Sequence, residues 1–124
     1  EYLGFMNKDA IISQLKKAKS LIFSSICYEG MPMTILESFS TGTPVIAPNI
    51  GGPNEMVKNN ENGLIYEVNN PKDLLDKIYS LDEDRELQNK LSNGARSSYK
   101  LNYSAELNYK MLMDIYKEVI NEKT

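Results

Sequence analysis

The 124-residue sequence contains no histidine and a single cysteine, Cys27. Without histidine there is no Ser-His-Asp or Cys-His catalysis, and the commonest metal ligand is missing. One cysteine permits neither an internal disulfide nor a thiolate zinc site, and it fits a reducing compartment. No apolar run approaches the roughly 20 residues needed to span a bilayer. The N-terminus lacks the basic, apolar, then small-residue succession of a secretory signal. Charge is scattered along the chain, with 14 Lys and Arg against 17 Asp and Glu, a formal net charge of −3. There is no basic stripe for counterion-driven binding, so nucleic acid is not an expected partner.

What is there reads as one globular domain: 41% of residues are hydrophobic and 25% charged, enough to build a single core. The chain starts at Glu1 instead of Met and enters on Tyr2-Leu3-Gly4-Phe5, as though mid-strand. That beginning reads as a segment of something longer.

Residues 1–81 alternate short apolar runs with helical patterns, which predicts an α/β fold with a parallel sheet. Strands are expected at residues 2–5, at 20–24 as a buried strand, at 44–47 and at 64–66. Asn7 is placed to cap a helix over 8–19, whose apolar face is Ala10, Ile11, Ile12, Leu15 and Ala18. A second helix begins near Pro32, where a missing N–H matters least, and stops at Gly42. Residues 48–53 form a Gly- and Pro-rich loop before a short helix at 54–58. Asn70-Pro71 starts a helix that runs to about Leu81. Residues 82–124 are all helical, with Asp84 capping 85–99 and Ser104 capping 105–122. In the last helix Leu107, Met111, Met113, Ile115, Tyr116, Val119 and Ile120 make a broad apolar side, whose ordinary use is core packing.

The chemistry concentrates between Tyr28 and Gly52. The order is strand, loop with Glu29-Gly30, helix with Glu37, glycine cap, strand, glycine-rich loop. In open parallel sheets ligands sit beyond the carboxyl ends of the strands, where both loops fall. A helix opening near Pro32 aims unpaired N–H groups and its positive end into that crevice, a place for a phosphate or diphosphate. Gly30 lets backbone approach a ligand. Glu29 precedes the helix and Glu37 lies eight residues later, so one carboxylate faces the reacting end of a ligand and the other a more distant hydroxyl-bearing part. Each glutamate read alone is an ordinary solvated residue, and Gly51-Gly52 read alone is as much a plain turn as a ligand approach. A glycosidase pair would need two carboxyl groups roughly 5–10 Å apart across the scissile bond, which spacing in sequence does not establish.

At these residues the chain closely resembles glycosyltransferase family 4, the glycosyl transferases group 1 sequences. The resemblance rests on Tyr2-Leu3-Gly4-Phe5, on Tyr28-Glu29-Gly30-Met31-Pro32 with Glu37 completing an E-x7-E motif, and on Gly42-Thr43-Pro44-Val45-Ile46-Ala47. It continues through Gly51-Gly52 with Glu55 and Glu61-Asn62-Gly63-Leu64-Ile65. These blocks stand in order over nearly the whole chain. The fold implied is the later part of the nucleotide-sugar-binding domain of a GT-B enzyme: an incomplete Rossmann-like parallel sheet with flanking helices and an all-helical C-terminal tail.

The resemblance also implies residue roles. Glu29 would contact the transferred sugar near the reaction centre, as the catalytic-site carboxylate. Gly30, Met31 and Pro32 would line that sugar, Met33 and Thr34 would hold the diphosphate, Glu37 would bind ribose hydroxyls, and Phe5 and Met6 would lie near the base. The parent would transfer a sugar with retention of configuration, from a nucleotide-diphosphate sugar to a glycan or lipid-linked acceptor, with no cofactor and no required metal. The acceptor domain and the first two strand-helix units of the donor domain would be missing, leaving this segment inactive alone and the final helix, which in this fold packs back towards the acceptor domain, partly uncovered on its apolar side. In the strand order 3-2-1-4-5-6 it would carry strands 3, 4, 5 and 6, so residues 2–5 would either move beside another strand or pair with a second chain, as a dimer through exposed edges. Placement would be cytoplasmic, peripheral at the inner membrane face through the missing domain. Rivals are a glycogen- or sucrose-synthase relative, a sugar-nucleotide epimerase, or a Rossmann-like binding module without catalysis.

Overall fold

The computed structural model describes residues 1–122. Among them three strands form one parallel sheet in sequence order. β1 (Leu21–Ile22) pairs with β2 (Val45–Pro48), and β2 pairs with β3 (Gly63–Tyr66). The register sets Leu21 opposite Val45, and Val45 opposite Gly63. β2 is the only strand of the three flanked on both sides, and all four of its residues are buried. A short, continuously apolar run is what a parallel strand covered on both faces requires.

Alternation along β2 divides the core. Val45 and Ala47 point into one cluster with Ile35, Phe39, Met56, Val57 and Ala95, while Ile46 points into another with Leu64, Tyr66, Leu81 and Leu91. Two clusters on opposite faces follow from the two-residue period of a strand. The first is roofed by α2 (Met33–Thr41) and α3 (Gly51–Met56), the second by α4 (Pro71–Glu83). α5 (Arg85–Ser98) serves both, through Ala95 and Leu91. The buried polar side chains are bonded: Ser38 Oγ donates to the Thr43 carbonyl at 2.8 Å, and Thr43 Oγ1 to the Leu15 carbonyl at 2.7 Å. Asn62 accepts from the Lys58 N–H and donates to the Met56 carbonyl and Ser98 Oγ.

The expected caps form. Asn7 accepts from the Ala10 N–H at the start of α1 (Lys8–Leu15), Asn70 from Asp73 in α4, and Asp84 from Leu87 in α5. Ser104 accepts from Leu107 at the start of α6 (Ala105–Glu122). Gly42 ends α2 in the left-handed region, at φ 74°. Between α5 and α6, residues Tyr99–Tyr103 make one wider π-helical turn, which sequence periodicity does not announce.

Five expectations are corrected. Residues 2–5 form no strand and lie beside none; Tyr2 and Phe5 are almost wholly exposed. A strand exists only as half of a ladder, and the implied order gives this one no neighbour among strands 4 to 6. β1 is two residues long and not buried, because its outer edge is unpaired and Ile22 is exposed. α1 stops at Leu15 instead of Lys19. Leu15 is its last apolar contact with the core and Ala18 is exposed, and a helix this short persists only where packing supports it. α3 begins at Gly51, so the two glycines open a helix instead of closing a loop. Finally, no residue of α6 is buried: Met111, Ile115, Tyr116, Val119 and Ile120 are exposed. Its apolar side does not pack into the core among the described residues, and it is uncovered as the resemblance implies for the final helix. No helix among the described residues is long and apolar enough to cross a membrane.

Candidate functional site

Parallel strands put the loops after β1, β2 and β3 at one end of the sheet, and the loop after β1 runs through Glu29 into α2. Pro32 is the residue before the helix, extended at φ −64° and ψ 117°, and not its first helical residue. The Pro32 carbonyl accepts from the Ile35 and Leu36 N–H groups. The N–H groups of Met33 and Thr34 have no acceptor among the described residues. Two unpaired donors at the positive end of a nine-residue helix make an anion-binding corner.

The same helix orients Glu37. Ile35, Ser38 and Phe39 are buried against the sheet, so the opposite stripe carries Met33, Thr34 and, one turn on, Glu37. Glu37 is half-buried, while Met33 and Thr34 are exposed.

Glu29 is held at two points. Its Oε1 accepts a 2.8 Å hydrogen bond from Ser25 Oγ, and its carbonyl accepts the Gly52 N–H at 2.7 Å. The second contact explains Gly51-Gly52. A Cβ at Gly52 would stand 1.9 Å from the Gly30 carbonyl oxygen and 2.4 Å from that of Glu29. Position 52 is glycine because the loop carrying Glu29 crosses it, so it is not a plain turn. Gly30 is the reverse case: a Cβ there would meet nothing within 4 Å, leaving that side of its backbone open.

The structure therefore brings Glu29, Gly30, Met31, Pro32, Met33, Thr34 and Glu37 onto one loop and the helix that follows it. Phe5 is fully exposed and Met6 is half-buried. Beside the α2 N-terminus lies an open cleft of about 570 Å³, lined by Met31, Met33 and Leu36 on one side and by Tyr99, Tyr103 and Met111 on the other. Sequence reasoning missed this cleft, although the tyrosines at i and i+4 were its available signal. Burial raises the Tyr103 phenol above the ordinary 10.0, and the nearby Glu55 carboxylate adds to it. Burial also raises Tyr66, whose hydroxyl donates a long 3.4 Å bond to the Phe23 carbonyl.

Comparison with known proteins matches residues 1–98 to the family model described as glycosyl transferases group 1. The chain is 38% identical over 104 residues to an uncharacterised glycosyltransferase of Methanocaldococcus jannaschii, covering 83% of this chain and 29% of that protein. It is 30% identical over 121 residues to a UDP-Gal:alpha-D-GlcNAc-diphosphoundecaprenol alpha-1,3-galactosyltransferase of Escherichia coli, covering 98% of this chain and 30% of that one. Among solved structures, a glycosyltransferase from Rickettsia africae superposes with a TM-score of 0.85 at 33% identity, over 94% of this chain and 31% of the other. The chain thus spans a little under a third of the length of these proteins.

Proposed function

Since the chain belongs to the glycosyl transferases group 1 family, we propose that it forms the donor-holding part of a retaining sugar transferase. In this reading the Met33 and Thr34 N–H groups and the positive end of α2 hold the diphosphate of a nucleotide sugar. Glu37, one turn along the same stripe, accepts hydrogen bonds from the ribose hydroxyls. Glu29 accepts from hydroxyls of the transferred sugar, beside the open backbone of Gly30, Met31 and Pro32. Phe5 and Met6 serve the base. The single observation that carries the proposal is the pair of unpaired amides at the α2 N-terminus, flanked by the two carboxylates.

As the bond between sugar and diphosphate breaks, negative charge grows on the leaving phosphate. Fixed amide dipoles aimed at that charge stabilise the transition state more than the ground state. Holding donor and acceptor together supplies the remainder. The transfer needs no resident metal in this scheme, and its compartment is the cytoplasm. The acceptor is a glycan or a lipid-linked sugar; the Escherichia coli relative, named for a diphosphoundecaprenol-linked acceptor, supports that class.

The test is calorimetric titration of the full-length protein with UDP, GDP and ADP. One nucleotide binds, and Glu37→Ala weakens it by roughly tenfold or more, the loss of a hydrogen-bonded charged acceptor. If none binds to the folded protein, a non-catalytic module becomes the better description.

A further inference from the structure

Sugar recognition by Glu29 depends on where its carboxylate stands. A glutamate on a loop has three rotatable side-chain bonds and no helix to restrict them, so a free carboxylate would sample many positions. Here the Ser25 hydroxyl restricts it. Ser25 is half-buried; its Oγ accepts the Cys27 N–H at 3.3 Å and donates to Glu29 Oε1 at 2.8 Å. One lone pair of the hydroxyl faces Cys27, and its single proton goes to the carboxylate. Oε1 is thereby anchored, and Oε2 is the oxygen left to meet a ligand. On the other side, Gly52 fixes the Glu29 backbone through its N–H.

We infer that Ser25 is a positioning residue, which acts on the donor sugar through Glu29 and not by touching it. The inference rests on the donor-site reading above and adds to it a residue outside the E-x7-E motif. A plain alternative exists: Ser25 Oγ with the Cys27 N–H is also a local turn, and that turn alone would shape the loop. The two differ in what they affect. A turn shapes the whole loop entering α2, including the diphosphate corner; a carboxylate anchor acts on the sugar alone.

The experiment compares nucleoside diphosphates with their sugar forms on the full-length protein: UDP with UDP-glucose, GDP with GDP-mannose, ADP with ADP-glucose. Ser25→Ala lowers affinity for the sugar nucleotide by about tenfold, as expected for a hydrogen bond to a charged group. Affinity for the bare diphosphate stays within about twofold. Ser25→Thr, which keeps the hydroxyl, restores most of the loss. In a Glu29→Ala background, Ser25→Ala costs nothing further, because its object is gone. Equal weakening of diphosphate and sugar nucleotide overturns the inference in favour of the turn, and so does a full Ser25→Ala loss that persists without Glu29. If Glu29→Ala itself leaves sugar-nucleotide affinity unchanged, the donor-site reading fails first and takes the inference with it.

Discussion

Replacing Gly52 by alanine tests whether the fold and the site share one contact. The new Cβ would lie 1.9 Å from the Gly30 carbonyl oxygen and 2.6 Å from its carbon. Both obstacles are backbone, so no side chain can swing aside. Restoring van der Waals separation requires the loop to withdraw by roughly 1 Å or more. Overpacking of this kind costs about 1–3 kcal/mol, and losing the 2.7 Å bond from Gly52 N–H to the Glu29 carbonyl costs about 1 kcal/mol more. Alanine's better helix propensity returns about 0.5–1 kcal/mol, since Gly52 lies in α3. The net is about 1–3.5 kcal/mol of destabilisation, or a melting temperature lower by roughly 5–15 °C. Thermal unfolding followed by circular dichroism measures it, with Gly30→Ala as control. At Gly30 the added carbon meets nothing, so that variant melts like the unmodified protein and any binding loss reports the ligand alone. A Gly52→Ala protein as stable as the original, with donor affinity intact, would refute the reasoning.

Two further outcomes are expected. Met33→Pro removes one of the two unpaired amides without breaking α2, because the first helical position tolerates proline and Pro32 is already extended as a pre-proline residue must be; diphosphate affinity in calorimetry falls roughly tenfold at an unchanged melting temperature. Tyr103 has its phenol raised above 10.0 by burial and then by Glu55, so its contribution to stability is complete below pH 10 and is lost as pH rises through the folded-state value, the unfolded chain ionising first. Urea midpoints measured across the alkaline range fall less steeply in Tyr103→Phe than in the original protein; equal slopes would show that this phenol is not the responsible group.

Local chemistry was legible in the sequence. Asn7, Asn70, Asp84 and Ser104 each cap the helix expected of them, since a cap is a bond between a side chain and an amide three residues away. The two glutamates were legible for a similar reason: their spacing carries one across a loop and places the other on the helix beyond it. What depends on a neighbour was not legible. Residues 2–5 and β1 look strand-like, but pairing decides, and only β2 has neighbours on both sides. The glycine at 52 read equally as a turn or a ligand approach because the obstruction comes from residues 29 and 30, in another loop. The apolar stripe of α6 has the period of a core helix, and period shows which side is apolar without showing what covers it.

The α2 helix explains why the proposed site of two amides and two carboxylates can be so short in sequence. Its aim is set by its buried side and its far end. Ile35 and Phe39 are fully buried against the sheet, and Ser38 ties the helix to the carbonyl of Thr43, which in turn bonds the end of α1. With the axis fixed from behind, the amides of Met33 and Thr34 point where the backbone sends them, and no side-chain ordering is needed at the moment of binding. Glu37 inherits that rigidity from the helix. Glu29 does not, since it precedes the helix, and its loop is held instead by Gly52 and Ser25. The two carboxylates of one motif are therefore positioned by different means. Under the proposed roles, substitutions in the core under α2 should disturb the diphosphate and ribose ends together, whereas substitutions at Ser25 should disturb the sugar end alone.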